Sequence, residues 1–333
     1  MDLSTTYLGL NIKSPLILSS SGLTKELDNI KQASEMGIGA VVLKSLFEEE
    51  IIADRHSLYN KESMFFWYPE AIDYVDNMTK HHGVENYISL LKDAKSATDI
   101  PVIASINCVS PNVWPEFAQT LQNAGADAIE LNIGILPTND KLSAVEISKV
   151  YRDIIREVKK YVDIPVAVKT GYYFTNLYQE LTELSKTEID GLVLFNRFYR
   201  PDIDIEHIKL ISDNYLSAPE ELNQSLRWIA LLYGKVECDL SASTGVHNHQ
   251  GAIKQLLAGA DSVQICSAIY KYGIEHIKKI NDGISEWMES KNFHKINDFR
   301  GMIARRNHDG GAFERIQYIR KSFDTRYKPV KSN

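Results

Sequence analysis

Cysteine is scarce in this chain. There are three, Cys108, Cys238 and Cys266, with no Cys-x-x-Cys spacing, so neither a disulfide framework nor a zinc site is indicated. Long apolar runs are missing too: no stretch approaches the ~18–20 residues of a membrane span. The opening Met1-Asp-Leu-Ser-Thr-Thr6 has no basic region followed by an apolar one, so the expectation is a cytoplasmic protein without a membrane partner. A basic excess is likewise absent. Lys and Arg number 37 against 44 Asp and Glu, a formal charge of -7, which argues against a nucleic-acid partner. No Gly-x-Gly-x-x-Gly turn follows the first apolar strand, where the chain reads Ser19-Ser-Ser-Gly22, and this counts against an open dinucleotide-binding sheet. The histidines His81, His82, His247 and His249 fall between elements without a carboxylate at ligand spacing, so they read as solvated and no metal is expected.

What is present is a repeated strand-then-helix pattern. With 44% hydrophobic and 24% charged residues, the chain has material for one large core. Compact apolar strands are expected at Pro15–Ser20, Ala40–Ser45, Pro101–Asn107, Ala128–Ile133, Pro165–Thr170, Gly191–Asn196, Val236–Ala242 and Ser262–Cys266. Helical spacing follows them at Thr24–Met36, Val84–Ala97, Trp114–Asn123, Val145–Tyr161, Asn176–Leu184, Ser225–Leu232, Gly251–Leu257 and Ile274–Trp287. A faint repeat supports the count: Gly37, Gly125, Ile189 and Gly259 each open a helix end feeding a strand that ends polar. Eight such units close a barrel, so the fold class is α/β, a (β/α)8 TIM barrel. Two alternating pieces flanking Leu8-Gly-Leu-Asn11 predict an N-terminal hairpin, and the pattern changes after Asn297. We therefore divide the chain into a barrel over 1–297 and a C-terminal extension over 298–333 that is not a separate domain. Long excursions follow the second and sixth strands; the first carries Phe65-Phe-Trp-Tyr68 and reads as a lid or binding loop.

In a barrel the chemistry sits at the C-terminal ends of the strands. That rule selects Ser20, Ser21, Lys44, Ser45, Asn107, Cys108, Asn132, Lys169, Thr170, Asn196, Arg197, Ser243 to Gly245, Cys266 and Ser267. Two lysines at one mouth are costly unless an anion or an electron-rich ring meets them. Ser243-Thr-Gly245 and Cys266-Ser267 follow the last two strands, where many barrels bind phosphate with small residues that let backbone N–H groups approach. With Asn132 and Asn196, these describe a site for a flat, polar, phosphorylated cofactor.

Ser20-Ser-Gly22, Leu43-Lys-Ser45, Glu130-Leu-Asn132, Val168-Lys169, the Asn196 strand end, Thr244-Gly245 and Gln264-Ile-Cys-Ser267 together resemble the cytosolic, dimeric class of dihydroorotate dehydrogenases, flavin enzymes of pyrimidine synthesis. The resemblance spans roughly residues 3 to 300. It implies a homodimer that binds FMN, with Gly22 among the cofactor-binding residues, Ser21, Lys44 and Ser45 along the isoalloxazine, and Asn132 and Lys169 at its polar edge. Thr244, Gly245, Cys266 and Ser267 would hold the phosphate. A small planar anionic substrate would meet Lys44, Asn77, Asn132, Asn196 and Arg197.

The substrate half of the family pattern departs. Where the family has Asn-Leu-Ser-Cys-Pro-Asn, with the cysteine as proton acceptor, this chain reads Asn132-Ile-Gly-Ile-Leu-Pro137. Either Ile135 or Leu136 takes the cysteine's place, and neither accepts a proton. Of the family's Asn-Ser-Met-Gly segment, Asp76-Asn-Met-Thr79 keeps Asn77, and the family's Asn-Ser becomes Asn196-Arg197. Lys44 and Cys108 are the candidate catalytic residues; Cys108 and Ser110 lie in Asn107-Cys-Val-Ser-Pro-Asn112, which echoes the lost motif one strand earlier. Cys238 and Cys266 read as structural or backbone-facing. Two other readings stay open: an FMN-binding barrel without redox turnover, acting as scaffold or sensor, and a phosphosugar lyase with Lys169 as Schiff base.

Overall fold

A computed structural model describes residues 1–48, 83–108, 114–135, 137–138, 140–198, 201–211 and 216–304, together with 315 and 319. The first element is the expected hairpin, strands β1 (Thr5–Tyr7) and β2 (Leu10–Ile12), paired antiparallel with Tyr7 opposite Leu10. Leu8 and Gly9 both take positive φ, 54° and 71°, the two-residue turn whose twist matches its flanking strands. The Leu8 side chain is buried and its N–H donates to Asp239 Oδ2 at 2.7 Å.

The barrel follows: β3 (Leu16–Leu18), α1 (Leu27–Glu35), β4 (Ala40–Val42), β5 (Leu46–Phe47), α2 (Gly83–Ala97), β6 (Val102–Cys108), α3 (Trp114–Asn123), β7 (Ala128–Ile133), α4 (Ala144–Lys159), β8 (Val166–Thr170), α5 (Leu177–Ser185) and β9 (Gly191–Leu194). After β9 come a short antiparallel hairpin, β10 (Asp202–Asp204) with β11 (Lys209–Ile211), then α6 (Leu222–Leu232), β12 (Asp239–Ala242), α7 (His249–Ala258), β13 (Ser262–Ile265), α8 (Ser267–Tyr272) and α9 (His276–Ser290). The parallel pairings run β4-β3-β13-β12-β9-β8-β7-β6, and β6 pairs back to β4, so the sheet closes on eight strand positions. The second position is split: β4 and β5 both pair with β6, and Lys44 sits in the break between them.

Local chemistry accounts for the element ends. Ser143 caps α4 through a reciprocal box with Glu146, whose carboxylate accepts from the Ser143 N–H at 2.7 Å. Asn176 and Asn248 cap α5 and α7 through their side-chain oxygens, which accept from the Gln179 and Gly251 N–H groups. The first helix begins later than its spacing suggests, because Gly22–Lys25 forms a 3-10 turn before α1. The excursion after the sixth strand contains the β10–β11 hairpin, which its alternating Asp-Ile-Asp and Lys-Leu-Ile triplets are too short to announce.

Inside the barrel the residues form levels. At the bottom, Tyr7, Leu8 and Ile12 plug the closed end against Ile17, Ala40, Val42, Ile103, Ala128, Ala167 and Val193. The three alanines leave the room that Tyr7 and Leu8 fill. Two residues further along the strands the inward positions turn polar and stay buried: Ser19, Ser105, Glu130, Lys169 and Gln264.

From Asp298 to Ile303 the chain stays attached to the barrel. Phe299 is fully buried, its ring centroid 5.0 Å from Trp287 and 5.4 Å from Phe293. Gly301 and Ile303 donate backbone hydrogen bonds to Leu256 and Leu257. Most of 305–333 lies outside the described residues, as do Phe65–Tyr68, Asn77, His81, His82, Ser110 and Leu136. Among the described residues no helix is long and apolar enough to cross a membrane.

Candidate active site

β7 and β8 run parallel with Asn132 opposite Lys169, and period-two alternation puts Glu130 two residues below Asn132 on the same inward face. Lys169 and Glu130 are 6% and 1% exposed. The Lys169 ammonium donates to Gln264 Oε1 at 2.9 Å and to Ser19 Oγ at 3.2 Å, and lies 3.4 Å from Glu130 Oε1. Gln264 closes the circle: its Oε1 also accepts from Ser19 Oγ, and its Nε2 donates to Glu130 Oε2. Four side chains from β7, β8, β13 and the end of β3 thus hold one buried ion pair in place, as burial of two charges requires. Beneath it the Tyr7 phenol is held well above its ordinary value, first by burial and then by the negative charge of Glu130.

A ladder of hydroxyls fixes the next stretch of the mouth. Ser45 N–H donates to Ser20 Oγ at 2.8 Å, the Ser20 and Ser45 hydroxyls are 3.1 Å apart, and Ser45 Oγ meets Ser105 Oγ at 2.8 Å. Tyr87 of α2 then brackets the Ser105 backbone, accepting from its N–H at 2.8 Å and donating to its carbonyl at 3.2 Å. Lys44 is half-buried beside this ladder, with Nζ 5.2 Å from the centre of the Phe47 ring.

The loop after β12 supplies the third wall. Thr244 and Gly245 take positive φ, 76° and 79°. Gly245 is there for a reason beyond φ, since a Cβ would overlap the backbone nitrogen of Leu222 at the start of α6. Ser217 ties this loop to the neighbouring one: its N–H donates to Ser267 Oγ at 2.9 Å, and its hydroxyl accepts from the Gly245 N–H at 3.3 Å. The Ser217 carbonyl accepts from His247 Nε2 at 3.0 Å and from Lys271 Nζ at 3.3 Å. Cys266 sits half-buried beside Ser21 and Lys169, and burial pushes its thiol up.

A cavity of about 200 Å³ lies between these walls, and nine residues selected from sequence line it: Ser20, Lys169, Asn196, Arg197, Ser243, Thr244, Gly245, Cys266 and Ser267. A wider space of about 470 Å³ adjoins it across Phe195 and Thr244, with Tyr172, Tyr173, Phe198 and Trp228 on its walls. Asn132 Oδ1 is buried with no hydrogen-bond partner among the described residues, a position that calls for a donor from a bound group. Arg197 lines the cavity but is held from behind, its Nε 3.0 Å from Glu221 Oε2. Gly22 is exposed and opens the 3-10 turn; the OH of Tyr270 lies 2.7 Å from where its Cβ would stand. Cys108 ends β6 opposite Ile133 in backbone register; its side chain lies outside the described residues. Ile135 is partly buried against the apolar core.

Two histidines depart from the sequence reading. His247 is 5% exposed rather than solvated, and burial together with the charge of Lys271 holds its imidazole below the usual value. His249 begins α7, with its ring packed where a Cβ on Gly283 would overlap it or come near it. Among the described residues no cluster of three or more His, Cys, Asp or Glu could hold a metal ion. Sequence reasoning also passed over Glu130 as the partner of Lys169, which stepping back two residues from Asn132 would have found. Ser217 lay in the long excursion after the sixth strand and carried no signal.

Comparison with known proteins agrees with this geometry. The family model described as dihydroorotate dehydrogenase matches residues 2–288. The catalytic subunit of dihydroorotate dehydrogenase B (NAD(+)) from Thermoplasma volcanium is 26% identical over 92% of this chain and 99% of its own length. Its counterpart from Pyrococcus furiosus is 27% identical over 92% of this chain and 100% of its own. A crystal structure of DHODH from Eimeria tenella in complex with ferulenol superposes with a TM-score of 0.64 at 15% identity, covering 91% of this chain and 89% of that one. That likeness is one of fold.

Proposed function

The chain belongs to the dihydroorotate dehydrogenase family, and from that premise we propose that it is an FMN-dependent oxidoreductase acting on the CH–CH bond of a small, planar, anionic substrate related to dihydroorotate. The observation that carries this reading is the buried Lys169, held in place by Ser19, Gln264 and Glu130 in the wall of a cavity that also reaches Thr244, Gly245 and Ser267. The residues fit the cofactor: Asn132 Oδ1 has no donor among the described residues, and the Thr244–Gly245 turn, with both φ positive, lines the cavity.

In this reading Thr244, Gly245, Cys266 and Ser267 hold the phosphate, while Ser21, Gly22, Lys44 and Ser45 lie along the ring. Asn132 and Lys169 meet the polar edge of the ring. Bound FMN supplies the hydride-accepting chemistry. The chain's own part is to orient and to stabilise charge: Lys169 presents a fixed cation where negative charge develops, at no cost of reorganisation. Lys44, Asn132, Asn196 and Arg197 are the groups we assign to the substrate, with Asn77 from outside the described residues. We place the protein in the cytoplasm as a homodimer, with 298–333 as an extension of the barrel rather than a domain.

Proton removal is where this chain departs from its family. Ile135 or Leu136 replaces the cysteine that accepts the proton, so dihydroorotate is expected to reduce the flavin slowly; we assign the remaining base role to Cys108. Purified protein should be yellow and take up added FMN stoichiometrically, and a colourless protein that ignores FMN refutes the proposal. The same Ile135–Leu136 substitution supports a second reading, an FMN-binding barrel without redox turnover. An anaerobic substrate screen that follows flavin bleaching separates the two.

A further inference from the structure

Glu130 is the one anion in the hydrogen-bonded group that holds Lys169, and the placement of the other members makes it separable from them. We infer that Glu130 is the countercharge that limits how strongly Lys169 stabilises reduced flavin, and so sets the reduction potential of the site; this rests on the FMN reading above. Lys169 has two neutral acceptors, Gln264 Oε1 at 2.9 Å and Ser19 Oγ at 3.2 Å, which take the ammonium's hydrogen bonds directly, while Glu130 orients it only through Gln264 Nε2. Glu130 Oε1 lies 3.4 Å from the ammonium and accepts no hydrogen bond from the described residues. Its direct contribution to Lys169 is therefore charge.

That charge acts at close range and on buried groups. Glu130 and Lys169 are 1% and 6% exposed, and the level below them is the apolar plug with Tyr7. In such surroundings two opposite charges a few ångströms apart cancel much of each other's field on a third group, and they are felt far more than in water. A flavin edge against Lys169 meets a cation with an anion behind it. Removing the anion leaves the full field of the cation on the ring, which favours the electron-rich reduced form. Removing the cation does the opposite. Glu130 touches no substrate or cofactor in this account; it is a positioning residue in the electrostatic sense, acting through Lys169.

The test is Glu130→Gln, which is nearly isosteric and whose amide oxygen can still accept from Gln264 Nε2. The two-electron midpoint potential of the FMN-loaded protein is measured against a reference dye, with photoreduction in place of substrate. Glu130→Gln is expected to favour the reduced form about tenfold over wild type, about 30 mV upward for a two-electron couple. Lys169→Met is expected to shift it downward. Glu130→Asp, which draws the carboxylate back by one methylene, gives a smaller upward shift and serves if the glutamine variant does not fold. A potential that is unchanged or lower in both Glu130 variants overturns the inference while leaving the FMN reading intact. Failure of the wild type to take up FMN overturns both.

Discussion

Gly245 lies so close to Leu222 that a Cβ at position 245 would overlap the Leu222 backbone nitrogen. The contact joins the loop after β12 to the start of α6, and the positive φ of 79° at Gly245 adds a second demand that a side chain would not meet without strain. Gly245→Ala therefore has to move the loop or the helix. The expected outcome is a loss of more than about 1 kcal/mol in stability and at least tenfold weaker FMN binding in a fluorescence titration. Wild-type affinity in a folded Gly245→Ala variant would remove the loop from the phosphate site.

Proton removal gives the second prediction. If Cys108 is the residual base, Cys108→Ala slows flavin bleaching by dihydroorotate a further hundredfold or more, within the range of a lost general base. Cys108 ends β6 opposite Ile133, the last residue of β7, and Ile135 lies two residues beyond it in the following loop. A cysteine restored at Ile135 or Leu136 is expected to speed bleaching, and anaerobic stopped-flow reads both. An unchanged rate in Cys108→Ala ends its candidacy.

The barrel was legible because its signal is repeated eight times and each strand is an apolar run closed by polar residues. Lys169, Asn132, Thr244 and Cys266 could be placed at the mouth by the same rule, which needs only the strand ends. What stayed hidden depends on contacts between distant segments. Gln264 and Ser19 meet Lys169 across 95 and 150 residues of chain, and no local pattern announces such a pairing. Ser217 reaches Gly245 and Ser267 from an irregular stretch, and the burial of His247 follows from the packing of Ser217, Lys271 and His276 around it. The strand pairing beyond Lys44 was equally silent: the expected strand ended at Ser45, and Leu46-Phe47 is too short a run to announce β5.

Thiol reactivity follows from burial. Cys238 is pushed up to about 12, by burial and then by the surrounding carboxylates of Asp239, Asp261 and Asp190. At pH 8 its thiolate fraction falls on the order of a thousandfold below that of a free cysteine. Iodoacetamide should leave Cys238 unmodified in the native protein and label it after guanidine unfolding, as read by peptide mass spectrometry. Cys266, raised less and lining the cavity, is expected to react slowly and to be shielded further by FMN. Rapid native labelling of Cys238 would mean that the bottom of the barrel opens readily.

His247 makes the protein's stability depend on pH in a defined direction. Burial and Lys271 hold its folded-state pKa below the ordinary imidazole value, against the weaker pull of the Ser217 carbonyl, Glu220 and Glu221. In the unfolded chain it titrates near 6.5. Between the two values the unfolded state binds more protons, so the stability that neutral His247 contributes is complete above about 6.5 and is lost as the pH falls toward the folded value. His247 should therefore pull the melting temperature down from pH 7 to pH 5, against the opposite drift from Asp261, whose carboxyl burial raises to about 6. His247→Gln keeps a side-chain N–H for the Ser217 carbonyl but cannot take up a proton, so this pull is expected to be absent from it over the same range. Because Ser217 braces both Gly245 and Ser267, FMN release should follow the same pH range in the wild type and be blunted in the variant. Parallel melting and release curves in the two proteins would show that His247 stays uncoupled from the loop it supports.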